Sequence, residues 1–288
     1  MPISDTMPGG SSTIDKAFIE AFKANVVHLC QQHPSRLRST VTEQVVKAEV
    51  ASIERMGFVE AVERTTRHTP TVILDVPHSR RKFPMQDWYW ADLIDREDEV
   101  RMLISPKSEY AKSGAWAMNR RVDRTIIEAA TGAAMDGDGV AVPFDPNMKV
   151  GTAGGGLTLD AILEAKEKLD ANEVDADGRY LVINAKALSD LLSTTEVTSQ
   201  DFNTVRALVD GSLNRWLGFQ IIHTELVAEG DTAQALAYHK SAIRLGVGLD
   251  IATKIDVRPD VSYATQVFLS WTGGATRVEE EKIVQILI

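Results

Sequence analysis

Between Thr13 and Gln32 apolar residues return at three- and four-residue steps, with Ile14, Phe18, Phe22, Val26 and Leu29 on one stripe. That spacing predicts an amphipathic helix, which Pro34 ends. A helix this short is marginal alone and needs a body to dock on, its own or a neighbour's. From Val41 to Ala61 the pattern is ambiguous, although Val45, Val46, Val50 and Ile53 suit extended chain. Thr69–Val76 and Met85–Ile94 are rich in β-branched and aromatic residues and read as the two strands of a long hairpin. The residues between them, Pro77-His78-Ser79-Arg80-Arg81-Lys82-Phe83-Pro84, would form its basic tip, kept as a loop by a proline at each end.

Ser105-Pro106 is a helix start, serine as cap and proline in the first turn, and the helical pattern runs to Thr131 before Gly132 stops it. Tyr110, Ala111, Ala115, Met118, Val122, Ile126 and Ala129 share one side of this helix. Asp136–Gly156, rich in glycine and proline, marks a boundary. Beyond it, Thr158–Leu169 reads as helix, Arg179–Asn184 as strand, and Lys186–Ser193 and Gln200–Asp210 as helices, an alternation that gives an α/β subdomain. Ile251, Thr253, Ile255 and Val257, then Val261, Tyr263, Thr265, Val267, Leu269 and Trp271, alternate at period two, as antiparallel strands with one buried face do. Gly273-Gly274 is expected to turn the chain into a last strand at Lys282–Ile288. The class is α+β.

Composition narrows the function. With 44% hydrophobic and 25% charged residues the chain is an ordinary globular one. A net charge of -10 argues against a dedicated nucleic-acid binder, which needs a dense cationic surface, so packaged DNA would be met only by non-specific proximity. Cys30 is the only cysteine, which excludes an intrachain disulfide and fits a reducing cytoplasm. No stretch is apolar for long enough to span a bilayer, so no membrane partner is expected.

The chemistry looked for is mostly not found. Gly151-Thr152-Ala153-Gly154-Gly155-Gly156-Leu157-Thr158 has the spacing of a phosphate loop, but Leu157 stands where the lysine must be. The reading preferred is a connecting loop that ends at a Thr158 cap. His28, Cys30 and His33 cannot converge while they lie on one helix, being two and five residues apart. Asp92, Asp95, Glu97, Asp98 and Glu99 form an acidic run, read as a solvated or partner-facing surface, and Arg80, Arg81 and Lys82 are its complement. Opposite charge clusters on one subunit suit head-to-tail contacts. No catalytic, metal or cofactor residue is assigned, and the chain is not read as an enzyme. The candidate inter-subunit contacts are Phe18, Phe22, Arg80, Arg81, Lys82, Asp95, Glu97, Asp98 and Glu99.

Five segments carry a family likeness in their order and spacing: Ser35-Arg36-Leu37-Arg38, Pro77-His78-Ser79-Arg80-Arg81, Trp90 to Glu99, Pro106-Lys107-Ser108-Glu109-Tyr110-Ala111, and Asn119-Arg120-Arg121-Val122-Asp123-Arg124. Together they resemble major capsid proteins of tailed bacteriophages with the Hong Kong 97-type fold. The resemblance implies an N-terminal arm at 1–50, an E-loop at 51–104, and a peripheral domain with a long spine helix at 105–157. An axial domain would follow at 158–238 and peripheral return strands at 239–288. It implies a virion shell subunit whose partner is itself, in hexamers and pentamers of an icosahedral head. A separate scaffolding protein, a portal and a decoration protein would be the further partners. Some relatives cross-link a hairpin lysine, but Lys82 reads as surface charge and cross-linking is not expected. An encapsulin-like compartment shell, and a phosphate-loop-like nucleotide-binding enzyme, are the alternatives.

Overall fold

The computed structural model of the chain describes residues 31–67, 70–71, 73–96, 106–193, 215–228 and 234–288. The expected helices at Thr13–Gln32 and Gln200–Asp210 fall wholly or largely outside them, as do Phe18, Phe22, His28, Cys30, Glu97, Asp98 and Glu99. In chain order come β1 (Thr42–Val45), β2 (Val50–Met56), β3 (His78–Pro84), β4 (Gln86–Ile94) and helix α1 (Pro106–Thr131). Short strands β5 (Ala134–Asp136), β6 (Ala141–Val142) and β7 (Lys149–Gly151) lead to α2 (Leu159–Ala171), β8 (Arg179–Ile183) and α3 (Ala185–Ser193). The chain closes with β9 (Arg215–Trp216), β10 (Phe219–His223), β11 (Gln234–His239), β12 (Ile243–Arg258), β13 (Ala264–Arg277) and β14 (Ile283–Leu287).

Among the described residues three sheets result, ordered β1-β12-β13-β4, β7-β14-β11-β8-β10-β9 and β2-β3-β5-β6. In the first, α1 covers the inward side chains Val267, Leu269 and Trp271, all fully buried. Its own stripe is Met118, Val122, Ile126 and Ala130, four residues apart, as a helix lying on a sheet requires. Gly114 sits where α1 crosses closest, since a Cβ there would stand 2.6 Å from Leu269 Cδ1 and 2.6 Å from Trp90 Cε3. Gly132, whose N–H donates to Glu128 O at 2.8 Å, ends the helix as expected. In the six-stranded sheet α2 packs on β14 and β7 and begins at Thr158, whose hydroxyl accepts from Ala161 N at 3.2 Å.

Three sequence expectations are corrected. His78–Pro84 is a strand rather than a tip, paired antiparallel with β2 through Val50↔Pro84 to Met56↔His78. The hairpin is therefore β2–β3, its far end is residues 57–77, and no described residue between 70 and 76 is strand. Gly273-Gly274 is no turn but lies inside β13. Glycine is demanded there by close approach: a Cβ on Gly274 would stand 2.3 Å from Pro84 O and one on Gly273 2.3 Å from Trp271 Cζ2. The closing strand joins β11 and β7 in the six-stranded sheet instead of returning beside the long strands.

Candidate assembly surfaces

The hairpin is fastened to the body at its base. Alternation along β2 and β3 turns Ala51, Ile53, Arg81 and Phe83 inward, where the apolar three pack with Val46 and Val278. Arg81, with 4% of its side chain exposed, pairs with Glu280, and Glu280 also accepts from Arg277 Nε at 3.2 Å. Arg277 is fully buried and fans out onto carbonyls, donating to Gly132 O at 2.6 Å and to Val142 O and Pro143 O at 3.2 Å. A cation against the carbonyls that follow α1 also suits the helix dipole. Burial pushes the Arg277 pKa down and the charge of Glu280 opposes the shift. Arg55 Nη1 on β2 adds a bond to Val278 O at 2.8 Å. One acidic turn thus ties β2, β3, β13 and the end of α1.

The basic triplet therefore does not form a free tip. Arg81 points into the body, while Arg80 projects outward onto Glu54, its cross-strand neighbour, at 2.6 Å. Lys82 is half-buried between Ser52 and Met135, and Asp95 is exposed just beyond β4. The complement of Arg81 is thus Glu280 of its own chain, 199 residues further on, and not the acidic run at 92–99. Arg55, Arg277 and Glu280 were missed; the signal available was a charged residue at an inward position of the period-two pattern in β13.

Beyond the base the chain presents apolar surface. Gly57 N donates to Pro77 O at 2.8 Å and closes residues 57–77, in which Phe58 is 82% and Ile73 87% exposed, with Val62 and Leu74 also open. A second apolar shelf lies along the first sheet. Ile255 and Val257 pair with Val267 and Thr265 and share their inward face, yet both are exposed.

The glycine loop has no cation at the position a phosphate loop fills with lysine. Leu157, in the lysine position, is a core side chain with 1% exposure, and the positive-φ residues Gly154 and Gly156 carry the chain from β7 into α2. His33 stands edge-on to Trp116 at 3.9 Å, and His239 Nε2 lies 2.8 Å from Asp177 O, both structural settings. Among the described residues no three His, Cys, Asp or Glu side chains are grouped to hold a metal ion. No described helix is long and apolar enough to cross a membrane.

The phage capsid protein family model matches residues 14–288. This chain belongs to that family. Solved capsid structures share its fold at low identity. The capsid of cyanophage P-SCSP1u superposes with a TM-score of 0.74 at 15% identity, covering 94% of this chain and 93% of that one. Mycobacterium phage Che8 gives 0.70 at 19% identity over 93% and 97%, and the capsid of Ralstonia phage GP4 gives 0.71 at 10% identity over 99% and 97%. No curated protein matches the sequence. Family and fold together identify a phage major capsid protein of the Hong Kong 97-type α+β architecture, a structural component of the virion shell that assembles with copies of itself.

Proposed function

We propose that the chain builds the icosahedral head of a tailed phage as hexamers and pentamers, with the end of the β2–β3 hairpin of one copy lying on the apolar shelf of the next. The observation that carries this is the exposed Phe58 and Ile73 on a stretch closed by one backbone bond. Such side chains gain roughly 1.5–3 kcal/mol each when buried, and a neighbouring copy supplies the cover in every position of the shell. The subunit has no catalytic duty, is made in the host bacterial cytoplasm, and works with a separate scaffolding protein, a portal and a decoration protein. It meets DNA only by proximity. Phe18, Phe22, Arg80, Lys82, Asp95, Glu97, Asp98 and Glu99 stay as proposed inter-subunit contacts, whereas Arg81 serves the hairpin base. The test is Phe58→Ser with Ile73→Ser. The circular dichroism and unfolding midpoint of the isolated chain should hold, while electron microscopy should find capsomers or fragments in place of shells. Normal shells from this variant would remove the hairpin end from the assembly contact.

A further inference from the structure

Two of the segments that carried the family likeness, 35–38 and 119–124, meet at one buried carboxylate. Asp123, on α1, has no exposed surface. Its Oδ1 accepts from Ser35 Oγ at 2.5 Å and Leu37 N at 3.2 Å. Its Oδ2 accepts from Arg36 N at 3.0 Å and from Gln32 Nε2. Four donors thus occupy the roughly four acceptor positions of a carboxylate. These donors lie on a strap of residues 31–40, on which Gln31 Oε1 also accepts from Arg120 Nη1 of α1 at 2.7 Å.

The strap also grips the six-stranded sheet. Gln32 Oε1 accepts from Thr224 Oγ1 at 2.9 Å, just past the end of β10. Arg36 Nη1 donates to the His223 carbonyl, and Thr40 Oγ1 lies 2.6 Å from the Tyr238 hydroxyl on β11. Further along, Arg38 forks onto Glu43 and onto Asp250 of β12, at 3.0 and 2.8 Å. The strap then becomes β1, which pairs in parallel with β12.

We infer that Asp123 is a positioning residue, the anchor of a latch that fixes how the six-stranded sheet sits against α1. The side chain of Gln32 makes the coupling direct, since its amide donates to Asp123 on one side and accepts from Thr224 on the other. The latch has a single register. A buried polar group must keep its partners, and sliding the strap by one residue would leave donors and carboxylate lone pairs unmatched at once. Elsewhere the chain passes from α1 and the long-stranded sheet to the six-stranded sheet through residues 132–148 and the short links 240–242 and 278–282, so the strap adds a non-covalent tie to these. One chain that must sit in rings of six and of five needs this angle controlled. That consequence rests on the proposed shell; the latch itself does not.

Hydrogen exchange on the full, unassembled chain tests the latch. Asp123→Asn keeps the shape but turns an acceptor into a donor facing donors. The Arg36 and Leu37 amides should then exchange roughly tenfold faster or more, as loss of a bond to a charged acceptor predicts. Val267 and Leu269 in β13 should keep their protection. Gln32→Leu, which leaves the carboxylate three donors, gives the same readout should the first variant fold poorly. Thr224→Val removes the Gln32–Thr224 bond while leaving the four donors to Asp123 in place. In a Cys30→Ala background with spin labels at positions 128 on α1 and 163 on α2, it should broaden the distance distribution while Arg36 and Leu37 stay protected. Unchanged exchange at Arg36 and Leu37 in both carboxylate-side variants overturns the latch, and an unchanged distance distribution overturns its coupling to the sheet through Gln32. In electron microscopy both variants should give irregular particles. Regular shells from variants with a measurably open latch would defeat the role in assembly alone, whereas absence of shells from the unaltered chain would strike the shell reading and not the latch.

Discussion

Glu280→Gln should be the most damaging single-atom exchange in the hairpin base, and its size follows from who depends on that carboxylate. Arg81 and Arg277 have side-chain exposures of 4% and 0%, and both pair with Glu280, which is itself 15% exposed. Removing the anion from a buried pair costs about 3–5 kcal/mol, because the cation left behind stays desolvated. The glutamine oxygen still accepts one N–H, recovering about 1 kcal/mol. The expected loss is therefore about 3 kcal/mol. At roughly 2 °C per kcal/mol for a chain of this size, the melting point should fall by about 6 °C. Glu54→Gln is the internal control, since it cuts the Arg80 pair on the same hairpin where both partners are half exposed or more, and exposed pairs contribute about 0–1 kcal/mol. Urea and thermal unfolding of the unassembled chain read both variants. Adding Arg81→Met to Glu280→Gln should restore about 1 kcal/mol or more by removing one orphaned charge. Equal effects from the two glutamines, or a further loss in the double variant, would refute the reasoning.

Gly114→Ala should destabilise although alanine is the better helix former by about 1 kcal/mol. The new methyl meets Leu269 and Trp90 at 2.6 Å, and overpacking costs about 1–3 kcal/mol; a raised unfolding midpoint would contradict it. Thr158→Ala should lose about 1 kcal/mol through the cap on Ala161 N, and Thr158→Ser should keep most of it in the same measurement. Asp250 has its carboxyl held below the ordinary range by the Arg38 hydrogen bond. Its contribution is present above the unfolded carboxylate pKa, about 3.9, and is lost as pH falls through the lower folded value. Asp250→Asn should therefore flatten the acid limb of a stability–pH profile, and an unchanged limb would show that Arg38 does not act through Asp250.

What the sequence revealed depended on the distance over which each signal acts. The helix α1 was legible because its evidence is local: Pro106 at the start, Gly132 at the end, and Met118, Val122 and Ile126 between them one helical step apart. Thr158 announced α2 for the same reason. The hairpin was misplaced because Arg81 and Phe83 alternate like any strand, but a buried arginine disguises the inward face, and the glutamate that neutralises it is 199 residues on. Gly273-Gly274 failed in the opposite way. Two adjacent glycines are a local turn signal, but here their meaning is set by Pro84 and Trp271, which need the backbone to pass within a side chain's width. The same holds for the candidate contacts. Charge runs pointed to the surface, and Arg80 and Asp95 are there, but no pattern of signs along a chain distinguishes a cation that seeks a neighbour from one already spent on its own fold. Exposed Phe58 and Ile73 carry the stronger argument because the cost is not screened by solvent or salt. Phe58 is uncovered by the described residues of its own chain, and the proposed contact with a neighbouring copy would cover it.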